Sequence, residues 1–460
     1  MRFSMSTKAM LPVLAVLAVA GTPAHAASPS GPATPWWHAF HDATLDEAVD
    51  RALAGNLDLA AAAARIEQAR AMAKSAGAAL LPSVTLGASA EAASQSLNTP
   101  FGAVSQALGL SRGYDLYQVG PSAQWEIDLF GGLSARRRSS LAQAGATVAE
   151  ADAARLAVVA ETADTYLRLR GLQARLDFAR QQQKLSADLA ALVRQRAGQG
   201  LASDHDANRA EAASAAASAA ISPLRSAIAV EIDRLGVLTA GDAAWRDRLQ
   251  VAGEIPAALE PALDADPARL MRRRPDLAAA EQRVQAARAN VGAARSEYYP
   301  HLSLGGLIGL ASLGTASLTS GDAVTAQGGA TLRWRLFDFG RVDAEVASAR
   351  GREHEVLALW RQAALSASAE VADAIAALAE GRNEQAELLR QVALLTKARD
   401  QARAAYREGA IALMDVLTAD AALVTATDRL TANRAGLARA SVAAVRAMGG
   451  GYGSEGTDHG

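Results

Sequence analysis

The sequence predicts a mainly α chain with a small membrane β part, built from one duplicated unit and giving four strands to a barrel that several copies share. Three observations carry this reading. First, VGPSAQWEIDLFGG at 119–132 is echoed by GGATLRWRLFDFGR at 328–341, with Trp125 and Trp334, and Gly131 and Gly340, each 209 residues apart. The same spacing joins Glu161 to Glu370, Gly200 to Gly409 and Asp206 to Asp415, as a tandem duplication would. Second, each echo is followed by a long Pro-free stretch rich in Ala, Leu, Arg, Glu and Gln. Third, short segments of alternating polarity precede each stretch.

The N-terminus reads as an export signal. Arg2 and Lys8 form a positive end, Leu11 to Ala20 a short apolar core, and Ala24-His25-Ala26 a small-x-small cleavage site, which makes 1–26 a cleaved signal peptide. The apolar run is half of the roughly 20 residues that a spanning helix needs. The chain has no cysteine, so the exported protein has no disulfide and no cysteine to carry a lipid. A net charge of −2 over 460 residues gives no electrostatic case for nucleic acid. Ser, Arg, Asp or Glu interrupts every other Ala-rich run, so any membrane crossing is expected from strands.

The first unit, 27–240, opens with a helix ending in RIEQARAMAKSAGAALLP (65–82), matched at an offset of 218 by RVQAARANVGAARSEYYP (283–300) in the second unit, 268–448. A linker, 241–267, joins the units, and a Gly-rich tail, 449–460, follows them. The offset falls from 218 to 209 between the paired strands, so the first copy carries extra residues in that loop, where insertions are tolerated.

In VGPSAQWEIDL the odd positions Val119, Pro121, Ala123, Trp125, Ile127 and Leu129 are apolar, and in ATLRWRL the apolar set is Ala330, Leu332, Trp334 and Leu336. The partners SVTLGAS and HLSLGGLIGL alternate too. Such segments are the mark of membrane strands around a wet lumen, with Trp125 and Trp334 placed for the interfacial girdle. Four strands cannot close a barrel, and an edge left in lipid strands backbone groups at several kcal/mol each. Several copies must therefore combine; arithmetic alone permits a dimer or a trimer.

After the echoes, Leu133 to Ala197 runs 65 residues without proline, and Arg341 to Glu408 runs equally unbroken. At about 1.5 Å per residue each is a helix of roughly 100 Å, a length belonging to coiled coils or helical barrels. Each ends in a Gly-containing turn, AGQGLASDHD or REGAIALMD, and a shorter helix returns. The second return carries a heptad of Val416, Leu423, Leu430, Leu437 and Ala444, and the first carries Ala207, Ser214, Ile221, Ile228 and Leu235.

The chain resembles the TolC-like outer membrane efflux proteins, in the branch called NodT or RND-type outer membrane factors. The resemblance rests on WWHAF with DATLDEAVDRALAGNLDLAAAAARIEQAR, then RRRPDL, AARANVGAARSEYYPHLSL, FDFG and REGAIALMDVL, in that order and duplicated. It implies a homotrimer whose twelve shared strands form a barrel in the outer membrane and whose long helices continue as an α-helical tunnel across the periplasm. It further implies outer membrane lipid around the barrel, a periplasmic adaptor (membrane fusion) protein at the turns Gly200-Leu201 and Gly409-Ala410, and an inner-membrane pump, with the RND class favoured. The family's constriction maps onto Asp206, Tyr406 and Asp415, with Ile411 where some relatives place arginine. Capping of the returning helices is the competing role for Asp206 and Asp415.

The remaining candidates have plainer explanations. RRRPDL reads as a helix start with proline at the first position, and Arg136-Arg137-Arg138 as an exposed helix face. The His38/His41 and Asp204-His205-Asp206 groupings lack the ligand pattern of a metal site, and no phosphate loop, GxSxG or dinucleotide fingerprint is present. The expectation is therefore a passive exit duct for drugs or toxic compounds, neither an enzyme nor a cofactor or metal protein. The alternatives are the duct of a protein or oligosaccharide secretion system and a periplasmic coiled-coil scaffold without a pore.

Overall fold

A computed structural model describes residues 35–260 and 273–450. The predicted signal peptide, the end of the predicted linker and the tail from 451 lie outside the described residues.

A short 3-10 turn, Trp36–Phe40, leads into α1 (Ala43–Gly55) and α2 (Leu57–Ala78). Asp42 accepts from the Thr44 and Leu45 backbone N–H groups to start α1, and Asn56 accepts from Asp58 and Leu59 to start α2. A strand pair follows, β1 (Ser83–Ser94) and β2 (Gly113–Ile127), with α3 (Pro100–Ala107) in the loop between them. This small helix occupies the predicted insertion; Pro100 sits at its start and Thr99 caps it by accepting from Gly102 N at 3.1 Å.

The long helix α4 (Gly132–Gly198) comes next, and α5 (Asp204–Ala219) and α6 (Ile221–Leu238) return along it before α7 (Ala243–Gln250). The second copy repeats the order: α8 (Pro275–Ser296), β3 (His301–Ser312), β4 (Val324–Arg333), the long α9 (Arg341–Arg407) and the returning α10 (Leu413–Ala447). Both long helices have 67 residues, or about 100 Å at 1.5 Å per residue.

The long helices start by one device used twice. Gly131 and Gly340 hold left-handed φ values of 75° and 81°, where a side chain would be strained. Just before them, Asp128 accepts from Leu133 N at 3.0 Å and Ser134 N at 2.7 Å, and Asp338 accepts from Gly340 N at 3.2 Å and Val342 N at 2.8 Å. These carboxylates satisfy N–H groups that have no partner inside the helix and face the positive end of its dipole.

The heptad of α10 is buried throughout, at Val416, Leu423, Leu430, Leu437 and Ala444. The first return differs from its single predicted helix. It breaks at Ala220 ahead of Pro223, whose ring supplies no N–H and is tolerated in a first turn. A second correction concerns hydropathy: residues 204–238 contain an 18-residue window of mean hydropathy 1.2, long and apolar enough to cross a membrane by length and composition. Alanine supplies much of that value, and ion pairs of Glu211 with Arg194 and of Arg234 with Glu161 hold the segment along α4.

The four strands form one antiparallel sheet in the order β1-β2-β3-β4, so β2 and β3 join the two copies. The last strand stops at Arg333, short of the predicted Leu336. Its counterpart β2 continues through Trp125, Glu126 and Ile127 because those residues pair with Leu304, Ser303 and Leu302 of β3. Among the described residues, no strand lies on the outer side of β4. Large buried side chains gather midway along α4, where Tyr166, Leu167 and Leu169 meet Trp37, Leu45, Leu235, Trp245, Leu249 and Val442.

Burial pulls the Asp128 carboxyl upward, but hydrogen bonds from Ser134 and from the Leu133 and Gly132 backbone outweigh it and hold it below the ordinary carboxylate range. Its stabilisation is therefore complete above the unfolded value near pH ~4 and is lost as pH falls through the lower folded value. Replacing Asp128 with Ala should cost about 1–2 kcal/mol at neutral pH, whereas Asp128→Asn keeps an acceptor and flattens the acid limb. Thermal unfolding in detergent between pH 3 and 7 checks both; an Ala variant melting like the parent would remove the cap from the account.

Candidate functional site

The residues singled out in sequence fall into two groups: the corners where helices become strands, and the turns at the far end of the long helices. At the corners, each echoed tryptophan does the same job. Trp125 Nε1 donates to the Leu80 carbonyl at 2.9 Å, and Trp334 Nε1 donates to the Tyr298 carbonyl at 3.0 Å. Leu80 and Tyr298 are themselves 218 residues apart, so each indole pins the end of one strand to the end of the helix preceding its hairpin partner. Both rings stay partly exposed, at 38% and 52%, which leaves them available to an interface.

The corner joining the copies is ionic. His301 Nδ1 lies 2.8 Å from Glu126 Oε1, and Glu297 is paired by Arg136 at 3.1 Å and Arg335 at 3.0 Å. Phe130 stacks on Tyr299 with ring centroids 4.6 Å apart. The RRRPDL segment is a helix start, as expected: Pro275 opens α8, and Arg274 pairs with Asp276 and Glu370, both at 2.8 Å.

At the far end, the two turns share one geometry. Gly200 and Gly409 have φ of 73° and 74°, and Leu201 N donates to Arg196 O at 2.8 Å while Ala410 N donates to Ala405 O at 2.9 Å. These are the six-to-one bonds of a Schellman C-cap. Leu201 projects 74% exposed, and Ala410 is exposed as well. The structure brings the turns together: Val193, Ala190 and Ala210 of the first copy bury Leu413 of the second, with Tyr406 packed alongside.

Asp415 caps its helix through a backbone N–H, whereas at Asp206 the cap of α5 is Ser203. Asp206 accepts from Ser203 Oγ at 2.8 Å, whose oxygen in turn accepts from Asp206 N at 3.1 Å. Asp415 accepts from Ala412 N at 3.2 Å; the Ala412 side chain has no acceptor, so only the return half of a capping box exists there. Tyr406 lies under the Arg196 guanidinium, 5.2 Å from ring centroid to Cζ, and among the described residues no hydrogen bond joins it to Asp206. Ile411 is half-buried beside the turn.

Sequence reasoning missed the ionic rungs that tie α4 to α10. Arg175 grips Asp428 with two bonds of 2.6 and 2.9 Å, and Arg439 grips Asp164 with bonds of 2.7 and 3.2 Å. It also missed a buried polar chain in the core: Asp42 accepts from Tyr166 Oη, which accepts from Arg170, and Arg170 bonds Gln173 and the Val251 carbonyl. Burial, with Asp42 next, raises the Tyr166 hydroxyl well above its ordinary range, so it stays a donor.

A Cβ at Gly200 or Gly409 would meet nothing within 4 Å, so Gly→Ala there costs only the left-handed backbone, about 1–2 kcal/mol. Amide exchange should speed up at the substituted turn and leave the core around Trp245 unchanged; equal protection in parent and variant would contradict the cap.

With this geometry in hand, comparison with known proteins is direct. Residues 48–241 and 267–450 match the family model described as "Outer membrane efflux protein". The chain is 31% identical over 435 residues to the pyoverdine export outer membrane protein OpmQ of Pseudomonas putida, covering 91% of this chain and 88% of that one. It is 31% identical over 379 residues to the outer membrane protein OprJ of Pseudomonas aeruginosa, covering 81% and 77%. The solved structure of the outer-membrane channel OprN superposes with a TM-score of 0.84 at 30% identity, over 92% of this chain and 94% of that chain. Duplicated helices, a shared four-stranded sheet and these likenesses agree: the chain belongs to the outer membrane efflux protein family.

Proposed function

We propose that three copies of this outer membrane channel close one twelve-stranded barrel and one helical tunnel, forming the passive exit duct of a tripartite efflux system for drugs or toxic compounds. The observation that carries the proposal is the sheet. Its two edges, β1 and β4, have no partner strand among the described residues, yet it is carried on helices about 100 Å long. In hydrocarbon those edges must be paired, and a bilayer core of about 30 Å cannot contain such helices. In this reading residues 1–26 are removed on export without lipid attachment, 27–240 and 268–448 are the repeats, and 241–267 and the tail from 449 belong to a belt around the tunnel.

Driving force comes from outside the duct, from an inner-membrane pump of the RND class, and a periplasmic adaptor contacts the turns at Gly200-Leu201 and Gly409-Ala410. Trp125 and Trp334 sit at the membrane boundary. Asp206, Tyr406, Ile411 and Asp415 line the closed mouth, where three Asp415 carboxylates attract cations. Asp415 does this while capping α10, since a cap uses only part of a carboxylate's acceptor capacity.

Two measurements test this. Unheated protein extracted in detergent from outer membranes should run at the mass of three chains and restore drug tolerance to a channel-deleted strain; a monomer would sink the duct. In planar bilayers, Asp415→Asn should weaken cation preference with the melting temperature nearly unchanged, because Asn can still accept from Ala412. Unchanged selectivity with a lowered melting temperature would assign Asp415 to capping alone.

A further inference from the structure

The joint between the two repeats inside one chain is a template for the joint between chains, and it fixes the residue register there. Adding 218 to β1 positions and 209 to β2 positions turns the β1–β2 pair Ser83↔Gln124 into His301↔Arg333, which is the observed β3–β4 pair. The duplication therefore preserves register, not only fold. The same shifts carry the β2–β3 joint onto β4 and the β1 of a second copy. Ser122↔Leu307 becomes Thr331↔Ser89, Ala123↔Gly306 becomes Leu332↔Ala88, and Trp125↔Leu304 becomes Trp334↔Leu86.

We infer that β4 of one subunit pairs antiparallel with β1 of the next in this register, with Leu332 opposite Ala88 of the partner subunit, and that Phe339 seats on Leu81 of the partner subunit. The pairing extends β4 from Arg333 to Leu336, since Ile127, the counterpart of Leu336, is already in β2. The Phe339 contact copies the stacking of Phe130 on Tyr299. In the single chain Phe339 is fully exposed with φ of 56°, a left-handed conformation costly for an aromatic residue, and Leu81 is 65% exposed. Phe130 has no such φ among the described residues.

The seam differs from its template in chemistry. The ionic corner of Glu126, Arg136, Glu297 and His301 maps onto Arg335, Glu345, Ala79 and Ser83. Of these, Arg335 and Glu345 pair with each other within their own chain, at 3.1 Å. The subunit corner thus keeps its charges paired within one chain, facing the uncharged Ala79 and Ser83 of the partner subunit, where the internal corner carries ion pairs between the repeats.

This inference rests on the trimeric reading above, and the test separates them. The chain has no native cysteine, so two double variants, Ala88→Cys with Leu332→Cys and Ser89→Cys with Thr331→Cys, report on the seam alone. Adjacent pairs in an antiparallel ladder alternate between wide and close spacing, so one of the two has the closer geometry. Oxidation should give covalent dimers and trimers with at least one pair, and none with Ala88→Cys plus Gly328→Cys. A native trimer that cross-links only in the shifted pair, or in neither predicted pair, overturns the register and leaves the trimer standing. A native monomer overturns the reading beneath it. Phe339→Ala, at unchanged helix content by circular dichroism, should lower the trimer fraction about tenfold at limiting concentration, and high salt should not; an unchanged fraction removes the Phe339 contact.

Discussion

Everything in this molecule follows from one requirement, that backbone N–H and C=O groups placed in hydrocarbon must all be paired. Four strands satisfy each other on the inside of the sheet and leave β1 and β4 with an open ladder. A soluble protein would cover such edges or blunt them with charge. Here the edge residues of β1 are Ser, Val, Thr, Leu, Gly and Ala up to Glu91, and Trp334 and Leu336 continue apolar from β4. The helices inherit the constraint. A barrel built of copies needs equal, parallel supports beneath it, and two helices of 67 residues, started by the same Asp and Gly device, supply them.

The duplication explains why so few large side chains suffice. Aromatics are 4% of the sequence, and many of the largest buried ones are spent in a single cluster around Tyr166 and Trp245. Elsewhere the repeats meet through alanine, through heptad leucines and through arginine–carboxylate rungs. Partly buried bidentate pairs such as Arg175–Asp428 fix how two helices slide past one another as much as they hold them together, because an Arg fork accepts a carboxylate in few orientations. Alanine then sets the separation and the fork sets the stagger.

Much of the fold was legible because duplication doubles every signal. A lone tryptophan followed by Phe-Gly means little, but two at a spacing shared by Glu161 and Glu370 locate the strands, the helix starts and the turns together. What stayed hidden depends on partners remote in sequence. Arg175 and Asp428 are 253 residues apart on faces whose charges look like ordinary solvated positions. The break at Ala220 was hidden differently: the heptad runs across it from Ser214 to Ile221 and Ile228, so periodicity argued for one helix while Pro223 argued against it. The end of β4 at Arg333 was misjudged because alternation reports which residues can join a ladder, whereas strand length depends on whether a partner is there. For the tryptophans, pattern gave the place, and only the structure gave the hydrogen bond that the echo preserves.

The distribution of packing also bears on where the helices of this chain separate most readily. Around Trp245 and Tyr166 the helices are locked by a buried apolar core and a hydrogen-bonded chain from Asp42 to the Val251 carbonyl, and separating them would expose that apolar surface and break those bonds together. Toward the turns the packing thins. Between α4, α5, α6 and α10 lies a groove of about 670 Å³ lined by Phe178, Leu189, Leu224, Leu417 and Val424, flanked by the Arg175–Asp428 pair. Asp420, buried beside it, is held by Arg403 at 2.8 Å. Spreading the helices there exposes the small apolar area of alanine and frees ion pairs that water solvates, which costs less than opening a core of large side chains. Stability in a structure of this kind is lowest where movement is needed, and the two Schellman turns let each helix pair move as a unit, since their bonds close within one pair and do not cross to the other.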